Sequence, residues 1–113
     1  MKKLIILLCT YALLMSCTNP DEKTHSITHF NQIIIDTISP RKDIVYTTQL
    51  IKVKGFVNDS IYVSFGDKNR GYYLSKEIDT LFNPDYYGGH NAIFIFNPYK
   101  AKSGKLKIVF SIL

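Results

Sequence analysis

The 113-residue chain contains no tryptophan and only two cysteines, Cys9 and Cys17, both near its start. A disulfide framework is therefore excluded for everything that follows Cys17. No apolar run approaches the about 20 residues needed to cross a bilayer as a helix, since the run beginning at Leu4 ends where polarity returns at Ser16. No sustained 3.6-residue apolar stripe is present, which argues against a helical bundle. There is also no nucleophile–base motif, no glycine-rich phosphate cradle and no pair of catalytic carboxylates in a recognisable setting. The chain is read as a non-enzyme without a cofactor. An enzyme would need a polar cleft assembled near Asp85 and His90.

The first residues are a sorting signal. Lys2 and Lys3 precede the apolar stretch Leu4–Met15, the layout of a positively charged start followed by a secretory core. Leu14-Met15-Ser16-Cys17 follows, and it resembles the lipobox of bacterial lipoproteins, with an aliphatic residue three before the cysteine and a small one just before it. Met15 departs from the more usual small or short aliphatic residue. The resemblance covers this segment alone. It implies cleavage before Cys17, lipidation of the Cys17 thiol and acylation of the freed amino group. Each buried CH₂ of such chains contributes about 0.8 kcal/mol, so two or three chains make a lasting anchor. Cysteine usage agrees independently, because cleavage removes Cys9 and leaves Cys17 as the first residue of the mature chain. An unpaired thiol in an exported protein otherwise lacks a role.

The expected organisation is a signal peptide over residues 1–16, a lipidated tether over 17–26 and one domain over 27–113. The tether assignment rests on the polar run containing Pro20, Asp21, Glu22 and Lys23. Asp21-Glu22 weakly resembles the acidic cluster of surface-exported Bacteroidota lipoproteins. Thr18 rather than aspartate after the cysteine leans toward the outer membrane, with the periplasmic or surface face left open. The chain carries 14 basic and 9 acidic side chains. Lys2 and Lys3 leave with the signal, so the excess of five falls to three. With no nucleic-acid motif, this modest charge points away from nucleic acid.

Beyond the tether, short β-branched and aromatic runs alternate with turn residues. Phe30–Ile38 is extended, and Ser39–Asp43 breaks it. Ile44–Val57 is a long strand in which Gly55 marks a bulge or bend. Asn58-Asp59-Ser60 reads as a turn, Ile61–Phe65 and Tyr72–Leu74 as strands, and Ser75–Phe82 as a short strand or a single helical turn. Asn83-Pro84-Asp85 ends it. Ala92–Phe96 is apolar up to Asn97-Pro98, and Ser103-Gly104 turns into Lys105–Leu113. The pattern predicts an all-β fold, a small immunoglobulin-like β-sandwich of six to eight strands.

Asp85-Tyr86-Tyr87-Gly88-Gly89-His90 is the most site-like segment. Asp85, Tyr86, Tyr87 and His90 form a candidate loop for stacking on and hydrogen-bonding a sugar or peptide. The structural reading is that the tyrosines plug the end of the sandwich and the glycines make the bend. His25 and His29 are four apart, but no helix or acidic partner makes them a metal site. Asp67-Lys68-Asn69-Arg70-Gly71 starts like a calcium loop and lacks its closing glutamate, Ile78 standing there instead. Lys100, Lys102, Lys105 and Lys107 flank the last turn, as a solvated lysine edge or a contact for anionic lipid or glycan. Asp36-Thr37-Ile38, Asp59-Ser60-Ile61 and Asp79-Thr80-Leu81 each resemble the O-glycosylation motif of Bacteroidota, which makes Thr37, Ser60 and Thr80 candidate acceptors. Ordinary turn-to-strand chemistry accounts for the same triplets.

The expected role is a lipid-anchored envelope module that binds or scaffolds. Its partners would be the membrane and an envelope protein or glycan. The alternatives are an inhibitor or immunity lipoprotein with a specific protein partner, and a glycan-binding protein.

Overall fold

The computed structural model describes residues 20–65 and 71–113. The signal segment, Cys17, Thr18 and four residues of the calcium-like loop (Asp67 to Arg70) lie outside the described residues. The fold is all-β, with six strands: β1 (Glu22–Ile27), β2 (Ile34–Ile38), β3 (Gln49–Phe65), β4 (Gly71–Phe82), β5 (Ala92–Asn97) and β6 (Gly104–Ile112). Every pairing is antiparallel, in the order β1-β6-β3-β5-β2, with β4 on the other side of β3.

β3 organises the sheet. Its first part, Gln49–Val57, pairs with β6, and its last part, Tyr62–Phe65, pairs with β5. β4 follows it along both parts. The two parts belong to opposite layers of a sandwich, and the layers are halves of one continuous sheet folded on itself. Alternation makes this workable, because Ile51, Val53, Val57, Ile61, Val63 and Phe65 all sit at odd positions and are all buried. Phe94 and Phe96 of β5 and Leu106, Ile108, Phe110 and Ile112 of β6 fill the space between the layers. Phe94 and Phe110 meet across it with ring centroids 5.7 Å apart.

The fold-back has a local cause. Between Val57 and Ile61 β3 takes four steps where β4 takes two, from Lys76 to Leu74. Lys76 itself adopts a left-handed φ of 62°. The extra residues Asn58-Asp59-Ser60, expected as a turn between strands, form a bulge inside one strand. The β5–β6 loop locks that bulge. Asn58 Oδ1 accepts the amides of Lys102 and Ser103 at 2.9 and 3.0 Å. The Ser60 carbonyl accepts those of Lys100 and Ala101 at 3.0 and 3.1 Å. Gly55, with φ +142°, and Gly104, with φ +148°, let the backbones of β3 and β6 pass closely just before the bulge. A Cβ on Gly55 would collide with the Lys105 carbonyl, and one on Gly104 with the Phe56 carbonyl.

Two sequence expectations need correction. Residues Glu22–Ser26 are not tether but most of β1, paired with β6 from Glu22↔Ser111 to Ile27↔Leu106. Their polar composition reflects an edge strand with one solvated face, which looks like a linker in sequence. Lys105 and Lys107 are not on an edge, since β6 runs between β1 and β3. Ser75–Phe82 is wholly strand, the second half of β4.

Gly55→Ala is expected to lower stability by about 2–3 kcal/mol, from the forced backbone clash and the strained φ. Chemical denaturation checks this. A loss below about 0.5 kcal/mol would show that the close approach of β3 and β6 is not required.

Candidate functional site

Because β3 and β4 fold back, their ends converge at one end of the sandwich, here called the base. The same end gathers Asp21, the loop between β2 and β3, the Asn83–Asn91 segment and the C-terminus. Thr47 and Thr48 amides donate to the Leu113 carbonyl at 2.7 and 3.1 Å, and the Tyr86 amide donates to Thr47. Thr48 and Asp85 form an isolated bridge. Asp21 is buried beneath this loop. It accepts from Arg41 Nη2 at 2.6 Å and from the Tyr46 hydroxyl at 3.2 Å. Tyr46 in turn accepts the Arg41 amide.

The four loop residues singled out by sequence do not converge. Tyr86 is buried, its ring 6.1 Å from Tyr46 and edge-on to His90 at 5.4 Å. Its hydroxyl donates to the His90 carbonyl. Burial pushes that hydroxyl's pKa up and Tyr46 adds to it, so it remains a neutral donor. Gly88 and Gly89 take φ near +80° and make the turn that brings His90 back over Tyr86. Tyr87 points away from this arrangement and is 73% exposed. Asp85 lies on the outer side, in a different environment.

That environment is a cleft of about 410 Å³ lined by Phe65, Tyr72, Phe82, Asn83, Pro84 and Asp85. Tyr72 and Phe82 lie near opposite ends of β4, yet their rings stack at 4.6 Å and 25°. Phe65 packs against both, at 5.9 and 5.5 Å. Both rings project from the core-facing side of a strand bonded on one edge only, so their stack closes the sandwich along β4. Flat aromatic surface beside a carboxylate and an amide suits a sugar ring or the side chain of a peptide.

The opposite seam, between the edge strands β1 and β2, closes by charge. Lys23 Nζ donates to Asp36 Oδ1 at 2.9 Å, and His25 Nε2 bonds Asp36 Oδ2 at 2.6 Å. All three side chains stand at core-facing positions of edge strands, a placement that also discourages pairing with another chain. Burial pushes the Asp36 carboxyl up, but the bonds from Lys23, His25 and the Thr37 amide outweigh it and hold the pKa below the ordinary carboxylate value.

A second aromatic group lies on the outer face near the bulge. Tyr73 sits between Tyr62, at 4.8 Å, and Tyr99, at 5.2 Å, with Lys100 Nζ 5.5 Å from the Tyr99 ring centre. Tyr99 is held in a left-handed φ of 52°, its amide donating to Asn97 Oδ1. Tyr73 and Tyr99 are more than half exposed. Sequence reading missed both aromatic groups. Their members are scattered along the chain, and only the fold-back and the register Tyr62↔Tyr73 assemble them.

The other candidates stay dispersed. Thr37 is exposed on the outer side of β2, while Ser60 in the bulge and Thr80 on β4 are half-buried. Asp36 and Asp59 each accept the amide of the next residue, at 2.8 and 2.7 Å. The turn-to-strand reading of the triplets does not hold, since Asp36 and Asp79 stand inside β2 and β4 and Asp59 in the bulge within β3. Lys105 and Lys107 line a hollow of about 400 Å³ on the outer face with Lys54, Gly55 and Phe56. Lys100 and Lys102 belong to the β5–β6 loop. His25 is engaged by Asp36, and among the described residues no group of three or more His, Cys, Asp or Glu side chains is placed to hold a metal ion.

No protein-family model matches the chain, and no curated protein matches it. Among solved structures it is similar to the Tobacco streak virus coat protein, at 13% identity over 84% of this chain and 90% of that chain, with a TM-score of 0.40. The coat protein dimer gives 12% identity over 84% and 88%, also at 0.40. A likeness of this size carries no argument about function.

Two predictions follow from these seams and this loop. Asp36→Asn should cost about 1–2 kcal/mol at neutral pH. The contribution of this carboxylate is present above its unfolded pKa of about 3.9 and is lost as pH falls through the lower folded value. The variant's stability should therefore fall less than the wild type's on acidification into that range, as read by urea unfolding against pH. Tyr86→Ala should destabilise by about 3–5 kcal/mol, and Tyr87→Ala by no more than about 0.5, in thermal or urea unfolding. The reverse order would mean that Tyr86 does not plug the base.

Proposed function

We propose that the protein is a lipid-anchored module of the bacterial cell envelope that binds or scaffolds rather than catalyses. The observation that carries this reading is Leu14-Met15-Ser16-Cys17, set behind a basic start and a short apolar core. The anchor places the domain on a membrane, and Thr18 favours the outer one. Two exposed aromatic surfaces, the Tyr72–Phe82 cleft and the Tyr62–Tyr73–Tyr99 group, supply the kind of stacking area that partners use.

The inhibitor or immunity version of this role gains support from the second group. Tyrosine rings beside a lysine resemble the anchors of protein interfaces, and this group lies near the bulge, away from the base where the anchored chain enters. The cleft beside Asp85 is the better place for a glycan. Glycosylation at Thr37, Ser60 or Thr80 would appear as mass beyond polypeptide plus lipid.

Cys17→Ala is expected to move the protein from the membrane fraction to the soluble exported fraction and to remove the acyl mass. A variant still wholly membrane-bound would refute the anchor. Gentle-detergent purification of the wild type then separates the roles. A stoichiometric protein companion lost on Tyr73→Ala supports the inhibitor class, and a glycan lost on Tyr72→Ala supports the sugar-binding one.

A further inference from the structure

We infer that the base of the sandwich lies flat against the lipid headgroup layer of the membrane that holds Cys17, with Val45 and Tyr87 set into it. The inference rests on the anchor reading above and adds to it an orientation and a contact surface.

Domain structure does not begin after residue 26, because β1 starts at Glu22 and Asp21 is already fixed. The Asp21 carbonyl accepts the Ile112 amide at 3.0 Å, and its buried carboxylate holds Arg41 and Tyr46. Only residues 18–20 separate this fixed point from Cys17. Four residue steps reach at most about 14 Å when fully extended. The interfacial layer on each side of a bilayer is roughly 5–7 Å thick. A cysteine whose acyl chains are in the hydrocarbon therefore keeps Asp21 within a short distance of the headgroups, whatever path the intervening residues take.

What surrounds Asp21 fits that position. Arg41 is bonded to it, and the loop that carries Arg41 also carries Val45, at 90% the most exposed of the large apolar side chains described. A Cβ built on Gly88 would lie 3.9 Å from both Pro40 and Tyr46, which places the neighbouring Tyr87 at the same end. Leu113, 59% exposed, is bonded to Thr47 and Thr48. An exposed valine, leucine and tyrosine at one end form the mixed apolar and amphipathic rim that settles at a membrane interface. Charge is not what holds it. Arg41 is paired with Asp21, Lys42 stands next to Asp43 in the same loop, and Asp85 adds a further negative charge, so these loops offer no excess of positive charge. The contact should therefore depend little on salt or on anionic lipid.

Two consequences bear on the candidate sites. The loop Asp85–His90 faces the bilayer, so its exposed members meet headgroups before any soluble ligand. The Tyr62–Tyr73–Tyr99 group lies toward the opposite end, where a protein partner has access.

The test uses the full lipidated protein in vesicles of phosphatidylethanolamine and phosphatidylglycerol. Lipidation leaves no free thiol in the mature chain, so Val45→Cys and Ser103→Cys each give a single spin-label site. Ser103 is at the far end, bonded to the bulge. Intact mass first establishes the acyl chains. The inference expects the Val45 label to be protected from a water-soluble relaxant and reached by oxygen, the Ser103 label to show the opposite, and neither to change when salt is raised. Equal aqueous exposure of both labels on acylated protein would overturn the orientation and leave the anchor intact. Protein that carries no acyl mass would overturn the anchor, and the orientation with it.

Discussion

The structure depends on one strand bending without ending. A 17-residue β3 cannot lie flat in a domain of this size and still bury its apolar face, because a flat sheet offers that face no partner. The bulge at Asn58–Ser60 resolves this by turning the second half of β3 back over the first. The odd-numbered side chains of both halves then point at one another. What fixes the bend is hydrogen bonding of the Asn58 side chain and the Ser60 carbonyl to the β5–β6 loop, together with the near contact allowed by Gly55 and Gly104. Core packing follows from that geometry, since β5 and β6 pair with opposite halves of the same strand and bring Phe94 onto Phe110.

Folding one sheet in two leaves two open seams, and the chain closes each with different physics. Along β4 the gap narrows on stacked rings, among which the half-exposed Tyr72 has an apolar body and a polar hydroxyl tip. Between β1 and β2 the gap closes on a carboxylate that joins a lysine and a histidine. Backbone pairing is absent from that second seam, as neither edge strand bonds the other in the sheet order. The sandwich is thus nearly a barrel, its backbone ladder interrupted at these two seams.

Much of this was legible beforehand, and the remainder was hidden for physical reasons. The alternation of Ile61, Val63 and Phe65, and of Leu106, Ile108, Phe110 and Ile112, announced strands with one buried face, and all-β architecture followed. Gly55 inside a strand pattern suggested a bulge or bend, but the register is regular there and the bulge falls between Val57 and Ile61, while Gly55 serves the close approach of β6. Asn58-Asp59-Ser60 misled because turn chemistry and a bulge use the same residues, and only pairing partners tell them apart. Glu22–Ser26 misled because an edge strand whose inward side chains are Lys23 and His25 has the composition of a linker. In the candidate loop the sequence could not show the internal division. Tyr86 and Tyr87 are adjacent and chemically identical, and one plugs the core while the other faces outward. Tyr72 and Phe82 carried no joint signal, since ten residues of strand ordinarily hold two side chains far apart.

The pairing of β1 with β6 has a mechanical side. β1 enters the domain at its base and runs toward the far end, alongside β6, which returns to the base at Ile112. A pull applied at the N-terminus while the far end is held acts along the strands rather than across them. The backbone bonds from Glu22 to Ile27 then share the load together instead of opening one after another. The bond from Ile112 to Asp21 stands first in that line. A domain pulled through β1 in this way resists being unravelled far better than one peeled from an edge.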